Sequence, residues 1–353
     1  MIVLGIETSC DETAAAVVLD GRRVMSSVVA SQTDLHEKYA GVVPELASRA
    51  HAERVLPLVR EALAQAGVGL GMLDAVAVGN RPGLIGSLLV GVSAASALAW
   101  SLGKPLVGID HVRAHLYAGV LHEDGESPGP DAAFPALGLV VSGGHTSLYE
   151  VTNWRTMRRL GATIDDAMGE AFDKAATILG LPYPGGPNLD RLAGEPGAND
   201  TAVELPVSRL GKDSLDFSFS GLKTALLYAV QGVPGERAPT PPGPLTPERR
   251  RDLAASFQWA ACAAAVLKLE RALDAASARG TLYRTILTGG GVTSNSRLRR
   301  ELLALGSRRA VPVLLPRLAW CVDNAAMIAG LGSVRLAAGE ADGLGLSAQP
   351  TTA

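Results

Sequence analysis

Two histidines four residues apart, His111 and His115 in GIDHVRAHLYAG, carry the most specific chemical signal in this chain. On a helix that spacing puts both imidazoles on one face, close enough to hold one cation. Taken alone, the pair is also compatible with a polar or capping role on a helix face. A zinc peptidase of the HExxH type also needs a glutamate after the first histidine as general base. That position is Val112, so the peptidase reading lacks its base. A metal would need a further ligand from elsewhere, and Asp323 in WCVDNAAMIAG is the candidate. The same aspartate could instead cap the helix that begins there.

A second kind of chemistry is suggested by three small, polar turns after strand-like runs: ETSCDET (7–13), SGGHT (142–146) and TGGGV (288–292). Backbone amides in such turns bind anions, and glycine lets a ligand approach the backbone. Together the three point to a nucleotide. There is no GxxxxGK[ST] P-loop, and no GxGxxG opens a βαβ unit.

Two of these turns belong to a repeated unit. IVLGIETSCDETAAAVVLDG and FPALGLVVSGGHTSLYEV align without a gap at an offset of 133, which pairs Leu4 with Leu137, Gly5 with Gly138, Ser9 with Ser142 and Thr13 with Thr146. Each copy reads as strand, polar turn, strand, and a repeated supersecondary unit implies a duplicated architecture. Around them lie helical patterns at 44–67, 83–103 and 165–179, a long amphipathic helix after residue 248, and helices after TGGGV and from Asn324. The strand PLVGID delivers the chain into the histidine segment. The expected organisation is a first lobe over 1–121, a Pro/Gly-rich acidic linker over 122–135, a second lobe over 136–335 and a tail over 336–353, the lobes enclosing a central cleft. LPYPGGPNLDRLAG and the proline-rich 231–248 read as loops. Such a duplicated α/β chain resembles the actin, sugar-kinase and Hsp70 ATPase superfamily.

The bulk numbers agree with large cores. The chain has 353 residues, of which 47% are hydrophobic, 19% charged and 4% aromatic. A net charge of −3 argues against a surface basic throughout, so any contact with nucleic acid must use local patches or a partner. Three scattered cysteines make neither a CxxC pair nor a disulfide framework. The uncharged run from Pro82 to Gly103 is long enough for a membrane span, but its Gly, Ser and Ala content predicts a helix buried between sheet and neighbouring helices. No membrane association is expected, and MIVLGIETSC reads as a strand, which suggests a cytoplasmic protein.

Ten ordered motifs then carry a family resemblance: GIETSCDET, ASRAH, GLIGSLLVG, HVRAH, VVSGGHT, IDDAMGEAFDKAA, YPGGP, DFSFSGLKTA, GGGVTSNSRLR and CVDNAAMIA. The chain resembles the bacterial branch of the tRNA N6-adenosine threonylcarbamoyltransferase family, once described as O-sialoglycoprotein endopeptidases. The resemblance implies a two-lobed actin-like fold. It also implies transfer of a threonylcarbamoyl group from threonylcarbamoyl-AMP to N6 of adenine 37 in tRNAs reading codons that begin with A, with release of AMP. His111, His115 and Asp323 match the family's metal ligands, for one Fe2+ or Zn2+ per subunit. Val140, Val141, Ser142, Gly143 and Gly144 match its substrate-binding turn. Asp173, Gly186 and Asp190 match nucleoside-binding positions, and Asn295 a position near adenine and phosphate. Asp11 and Glu12 are candidates for handling the adenine amine.

Two positions depart from the family. Arg81 stands in NRPGLIG where glycine is usual, and Val140 stands where archaeal and eukaryotic relatives have a tyrosine near the metal. The implied partners are tRNA, a paralogue of the TsaB type and a small P-loop ATPase of the TsaE type. The helix over 44–66 is a candidate docking face, and the arginine clusters at 155–159, 249–251 and 297–300 are candidates for phosphate contacts. The competing reading is a small-molecule kinase or Hsp70-like ATPase on the same fold. An inactive scaffolding paralogue would be expected to have lost the His pair and Asp323.

Overall fold

A computed structural model describes residues 1–39, 41–123, 131–233 and 244–351. In chain order the first strands are β1 (Ile2–Glu7), β2 (Glu12–Leu19) and β3 (Arg23–Ser31), followed by helices α1 (Thr33–Glu37) and α2 (Pro44–Ala66). Then come β4 (Ala75–Arg81), α3 (Ile85–Leu102), β5 (Leu106–Asp110), α4 (His111–Tyr117) and β6 (His122–Glu123). The repeat opens with β7 (Ala136–Val141), β8 (Thr146–Asn153) and β9 (Thr156–Ala162). It continues through α5 (Met168–Ile178), α6 (Gly185–Ala193), α7 (Ser220–Gln231), α8 (Pro247–Ala278), β10 (Thr285–Gly289), α9 (Ser296–Arg309) and β11 (Val313–Leu314). Helix α10 (Ala325–Ala337) is the last element.

The duplication extends to strand order and register. One sheet runs β5-β4-β1-β2-β3-β6 and the other β11-β10-β7-β8-β9, so the first five strands of each correspond one to one. In the first sheet Gly5 faces Ala16 and Ile6 faces Ala15; in the second Gly138 faces Tyr149 and Leu139 faces Leu148, each pair displaced by the same 133 residues. A slip of one residue would turn every inward side chain outward, so a shared register means both copies bury the same face.

The chain divides into two compact units, one of 1–132, 152–157 and 316–353, the other of 133–151 and 158–315. In the first, alternate residues of β1 do different work. Leu4 and Ile6 enter a core with Val55, Leu58 and Val59 of α2 and Val92 and Ala95 of α3. Gly5 points the other way, where any Cβ would lie 2.2 Å from the Ala325 carbonyl oxygen, so only glycine lets α10 close on β1. The second unit is built around α8, whose Phe257 meets Phe172 of α5 edge to face at 5.5 Å.

Several expectations need correction. The second lobe was expected to run through 335, but residues 316–353 group with the first unit, because α10 packs on β1, β2 and β4. The residues expected to form a free tail also join it: Asp342 N donates to Leu106 O and Gln349 N to Asn80 O. Of the expected linker, His122 and Glu123 pair with β3, and residues 124–130 lie outside the described residues. The expected loop after Leu181 contains α6. Residues 234–243 of the proline-rich segment lie outside the described residues. Helix α3 is not buried all round. It is long and apolar enough to cross a membrane, yet one face packs in the core while Ile85, Leu89 and Trp100 are exposed on the other.

Candidate metal centre and phosphate turns

Strand β5 ends at Asp110, whose side chain caps α4 by accepting a hydrogen bond from Arg113 N at 3.1 Å. That cap starts the helix on His111 and turns both histidines to one side, where their rings meet edge to face at 4.7 Å. Asp323 arrives from the loop before α10. The cap of that helix is Asn324, which accepts from Met327 N at 2.9 Å, so Asp323 is not spent as a cap. One ligand atom from each of His111, His115 and Asp323 lies within 4.8 Å of the others.

The electrostatics suit a cation. Asp323 Oδ1 lies 3.5 Å from His111 Nε2 and 3.1 Å from His115 Nε2. Burial alone would depress His111, but Asp323 and Glu7 beside it outweigh that and hold it well above the ordinary histidine range. Burial lowers His115, helped by the neighbouring His111 against the pull of Asp323. Burial would raise Asp323, yet the two histidines hold it well below the carboxylate range. His115 is fully buried and neither of its ring nitrogens makes a hydrogen bond of acceptable geometry. Orphaned buried nitrogens are costly unless a ligand takes them up. Two imidazoles and a carboxylate suit a divalent transition metal, and the residues present fit one.

Glu7 and Ser9 complete the surroundings, and sequence reasoning missed both. Glu7, fully buried at the end of β1, places Oε2 3.1 Å from His111 Nδ1, and Ser9 Oγ lies 3.2 Å from the same nitrogen. The available signal was a glutamate closing an otherwise apolar strand. Of the residues expected to handle the amine, Asp11 and Glu12 lie in the β1–β2 turn of the same unit. Burial, Asp323 and Asp11 push Glu12 up to about 9.

The residues expected to form the substrate turn lie in the second unit. Val140 and Val141 are buried in β7, and Ser142 to His145 form the turn, closed by Ser142 N to His145 O at 2.8 Å and His145 N to Ser142 Oγ at 3.1 Å. A Cβ added at Gly143 or Gly144 would meet nothing within 4 Å, so packing does not require glycine there. Gly290 differs: its φ is +94° and a Cβ would lie 2.3 Å from Val141 O, which seats the TGGGV turn against the SGGHT turn. Asp173 accepts from Gly186 N at 3.1 Å. Asp190 accepts from Ser296 N at 3.1 Å, from Ser296 Oγ at 2.8 Å and from Gln258 Nε2. Asn295 caps α9 through Arg297 N and Leu298 N at 3.1 and 3.0 Å. These residues thus form two clusters: Asp173 with Gly186, and Asp190 with the start of α9. Gln258 is the neighbour that sequence reasoning did not find.

Fold and site together define an actin-like α/β chain with a His2Asp cluster that could hold a metal in one unit and glycine-rich turns in the other. HypF from T. kodakarensis superposes with a TM-score of 0.60 at 16% identity, over 96% of this chain and 48% of that one. Component A of the (R)-2-hydroxyglutaryl-CoA dehydratase of Acidaminococcus fermentans superposes with a TM-score of 0.50 at 12% identity, over 96% of this chain and 99% of that one. Both likenesses support the fold alone. The family model for TsaD, tRNA N6-adenosine threonylcarbamoyltransferase, matches residues 23–330. Proteins of that name from Symbiobacterium thermophilum and Anaeromyxobacter dehalogenans are 50% and 51% identical to it, each over 99% of this chain and over 96% and 98% of their own lengths. The chain belongs to the tRNA N6-adenosine threonylcarbamoyltransferase family.

Proposed function

We propose that this chain transfers the threonylcarbamoyl group of threonylcarbamoyl-AMP to N6 of adenine 37 in tRNAs reading codons that begin with A. The observation that carries the reading is the His111–His115–Asp323 cluster with its orphaned imidazole, in a chain of this family. These three residues would hold one divalent ion, Fe2+ or Zn2+, and when bound it supplies a Lewis acid for the acyl oxygen of the substrate.

The remaining work is positioning and proton handling. The open amides around Gly143 and Gly144 receive the phosphate of the adenylate. Asp173, Gly186, Asp190 and Asn295 surround its nucleoside. A carboxylate has about four lone-pair positions, so Asp190 keeps capacity for a ribose hydroxyl beyond its three internal donors. The N6 amine attacks the carbamoyl carbon, the bond to the phosphate oxygen breaks, and one proton leaves the nitrogen. Glu12, raised by burial in the same turn, orients the amine beside it. Asp11 then takes the proton lost by the amine. A kinase or Hsp70-like reading has no specific observation in its favour.

Helices α2 and α3 support the partner reading. Leu56, Leu89, Ala97 and Trp100 line an apolar groove of about 730 Å3, and Trp100 is 73% exposed. A paralogue of the TsaB type docks there, a TsaE-type ATPase joins the assembly, and the complex meets tRNA in the cytoplasm. The test is reconstitution with those partners, threonylcarbamoyl-AMP and unmodified tRNA, followed by nucleoside mass spectrometry. The expected product is threonylcarbamoyladenosine. Its absence with verified partners overturns the proposal.

A further inference from the structure

The last residues of the chain close a second cavity in the first unit. Gln349 N donates to Asn80 O at 2.9 Å and Asn80 Nδ2 to Ser347 O at 3.1 Å, which pins 342–349 across the ends of β4 and β5. Beneath them is a polar cavity of about 340 Å3. It sits at the carboxyl ends of two adjacent parallel strands, the edge at which open α/β sheets bind ligands.

Four arginines reach this cavity, and two of them are committed. Arg335 donates from Nε to Glu340 Oε2 at 3.1 Å and from one terminal nitrogen to Gly108 O at 2.6 Å and Asp342 Oδ2 at 3.1 Å. Arg155 donates to Glu340 Oε1 at 2.7 Å. Those contacts spend both Glu340 and Asp342. Arg81 and Arg113 have only Asp110 left between them. Each Nε lies 3.8 Å from Asp110 Oδ2, an ion-pair distance too long for a hydrogen bond. Arg81 Nε is buried and donates nothing, and its guanidinium makes one hydrogen bond, to Gln349 Oε1 at 3.2 Å. The Arg113 guanidinium makes none among the described residues, although only about a third of that side chain is exposed (32%). The other Asp110 oxygen caps α4. Four guanidiniums thus face three carboxylates, and most of the surplus donors belong to Arg81 and Arg113.

Partly desolvated guanidinium donors call for a planar or tetrahedral oxyanion, phosphate above all. Trp154 lines the same cavity, its ring packed edge to face on Tyr117 at 4.8 Å. The volume is near the bottom of the usual range of about 300–1,000 Å3 for ligand sites, which suits one phosphate with its sugar better than a free nucleoside triphosphate. The cavity wall includes Asp110, the residue before His111. We propose that this cavity binds a backbone phosphate of the substrate tRNA, with Arg81 and Arg113 as its clamp. The proposal rests on the transferase reading for the identity of the RNA.

The experiment is equilibrium binding of the full chain to a short unmodified RNA hairpin carrying the anticodon loop, measured over a range of salt. Arg81→Gly combined with Arg113→Gln is expected to weaken binding about tenfold or more, and to lower the slope of log affinity against log salt by about 1. Arg81→Lys alone should keep the slope and lose part of the affinity, which separates a phosphate contact from a folding defect. Inorganic phosphate and AMP are titrated in parallel. Unchanged RNA affinity and slope in the double variant overturns the proposal, as does wild-type chain that does not bind the hairpin at low salt. Loss of AMP or phosphate binding with RNA binding intact also overturns it, in favour of a small-anion site. A chain that binds RNA through these arginines but forms no modified nucleoside when reconstituted with verified partners keeps the clamp and refutes the transferase reading.

Discussion

The β1–β2 turn and the β7–β8 turn have the same frame and opposite chemistry. Both join antiparallel strands in identical register, displaced by 133 residues. At equivalent positions Glu7 stands against Val140, Cys10 against Gly143 and Asp11 against Gly144, while Ser9 and Ser142 agree. The first turn gathers carboxylates and lies beside a buried His2Asp cluster, whose charge suits a cation. The second offers backbone amides and open space, which suits an anion. A duplicated sheet thus fixes where a turn is presented, and a few side chains decide which sign of charge it accepts.

The largest effect should come from removing the cation half. Asp323→Ala takes away a candidate ligand and the negative charge beside the histidines. Lewis-acid stabilisation is worth several kcal/mol, so modification should fall about a thousandfold or more, with metal content falling in parallel. Elemental analysis and product rates check both together. Full activity without bound metal would remove the cation from the comparison.

Obstructing the anion half should cost less and leave the fold intact. Gly143→Ala meets no protein atom, so stability should change by less than about 0.5 kcal/mol while affinity for the adenylate drops about 10–100-fold. Gly290→Ala is the contrast. Its φ of +94° and the 2.3 Å approach to Val141 O should cost about 1–3 kcal/mol or more in urea unfolding. If both variants lose only stability, the turn is a packing device.

Glu7 probes how the two hairpins diverged. Glu7→Gln keeps the shape but weakens the partner of His111 Nδ1, and loss of such a supporting group typically lowers metal affinity about 10–100-fold. Competition with a chelating dye would measure it. Unchanged affinity would mean that Glu7 only fills space.

Much of this was legible in the residues, and the illegible part has physical causes. The repeat, the strand–turn–strand units and the helix ending at Gly67, φ +64°, follow from local periodicity and turn chemistry. The histidine spacing indicated a shared helix face, and the motifs supplied Asp323. Glu7 was missed because a buried acid at a strand end looks like part of a polar turn until its partner 104 residues away is known. The lobe boundary failed for a similar reason. Helix α10 returns to β1 through the contact at Gly5, and no local pattern records which sheet a late helix will choose. Helix α3 misled because a helix packed on one apolar face and open on the other has the same composition as one buried all round.

The last test is the most specific to the anionic turn. Burial, with Asp323 and Asp11 close by, raises Glu12 from an ordinary 4.5 to about 9. Folding of the metal-free chain therefore binds a proton over that interval. The stability contributed is fully present below 4.5 and is lost as pH rises through about 9. Glu12→Gln has no such proton, so in chelator its urea midpoint should match wild type near pH 4.5 and exceed it increasingly toward pH 9. The difference cannot grow faster than about 1.4 kcal/mol per pH unit, the limit for one proton. Parallel pH profiles would show that the carboxyl is not held neutral by its neighbours. Because Asp323 is among the charges that raise Glu12, a cation held by Asp323 removes part of that push. Repeating the profile with metal should shrink the difference, linking the turn carboxylate to the metal ligands without any measurement of activity.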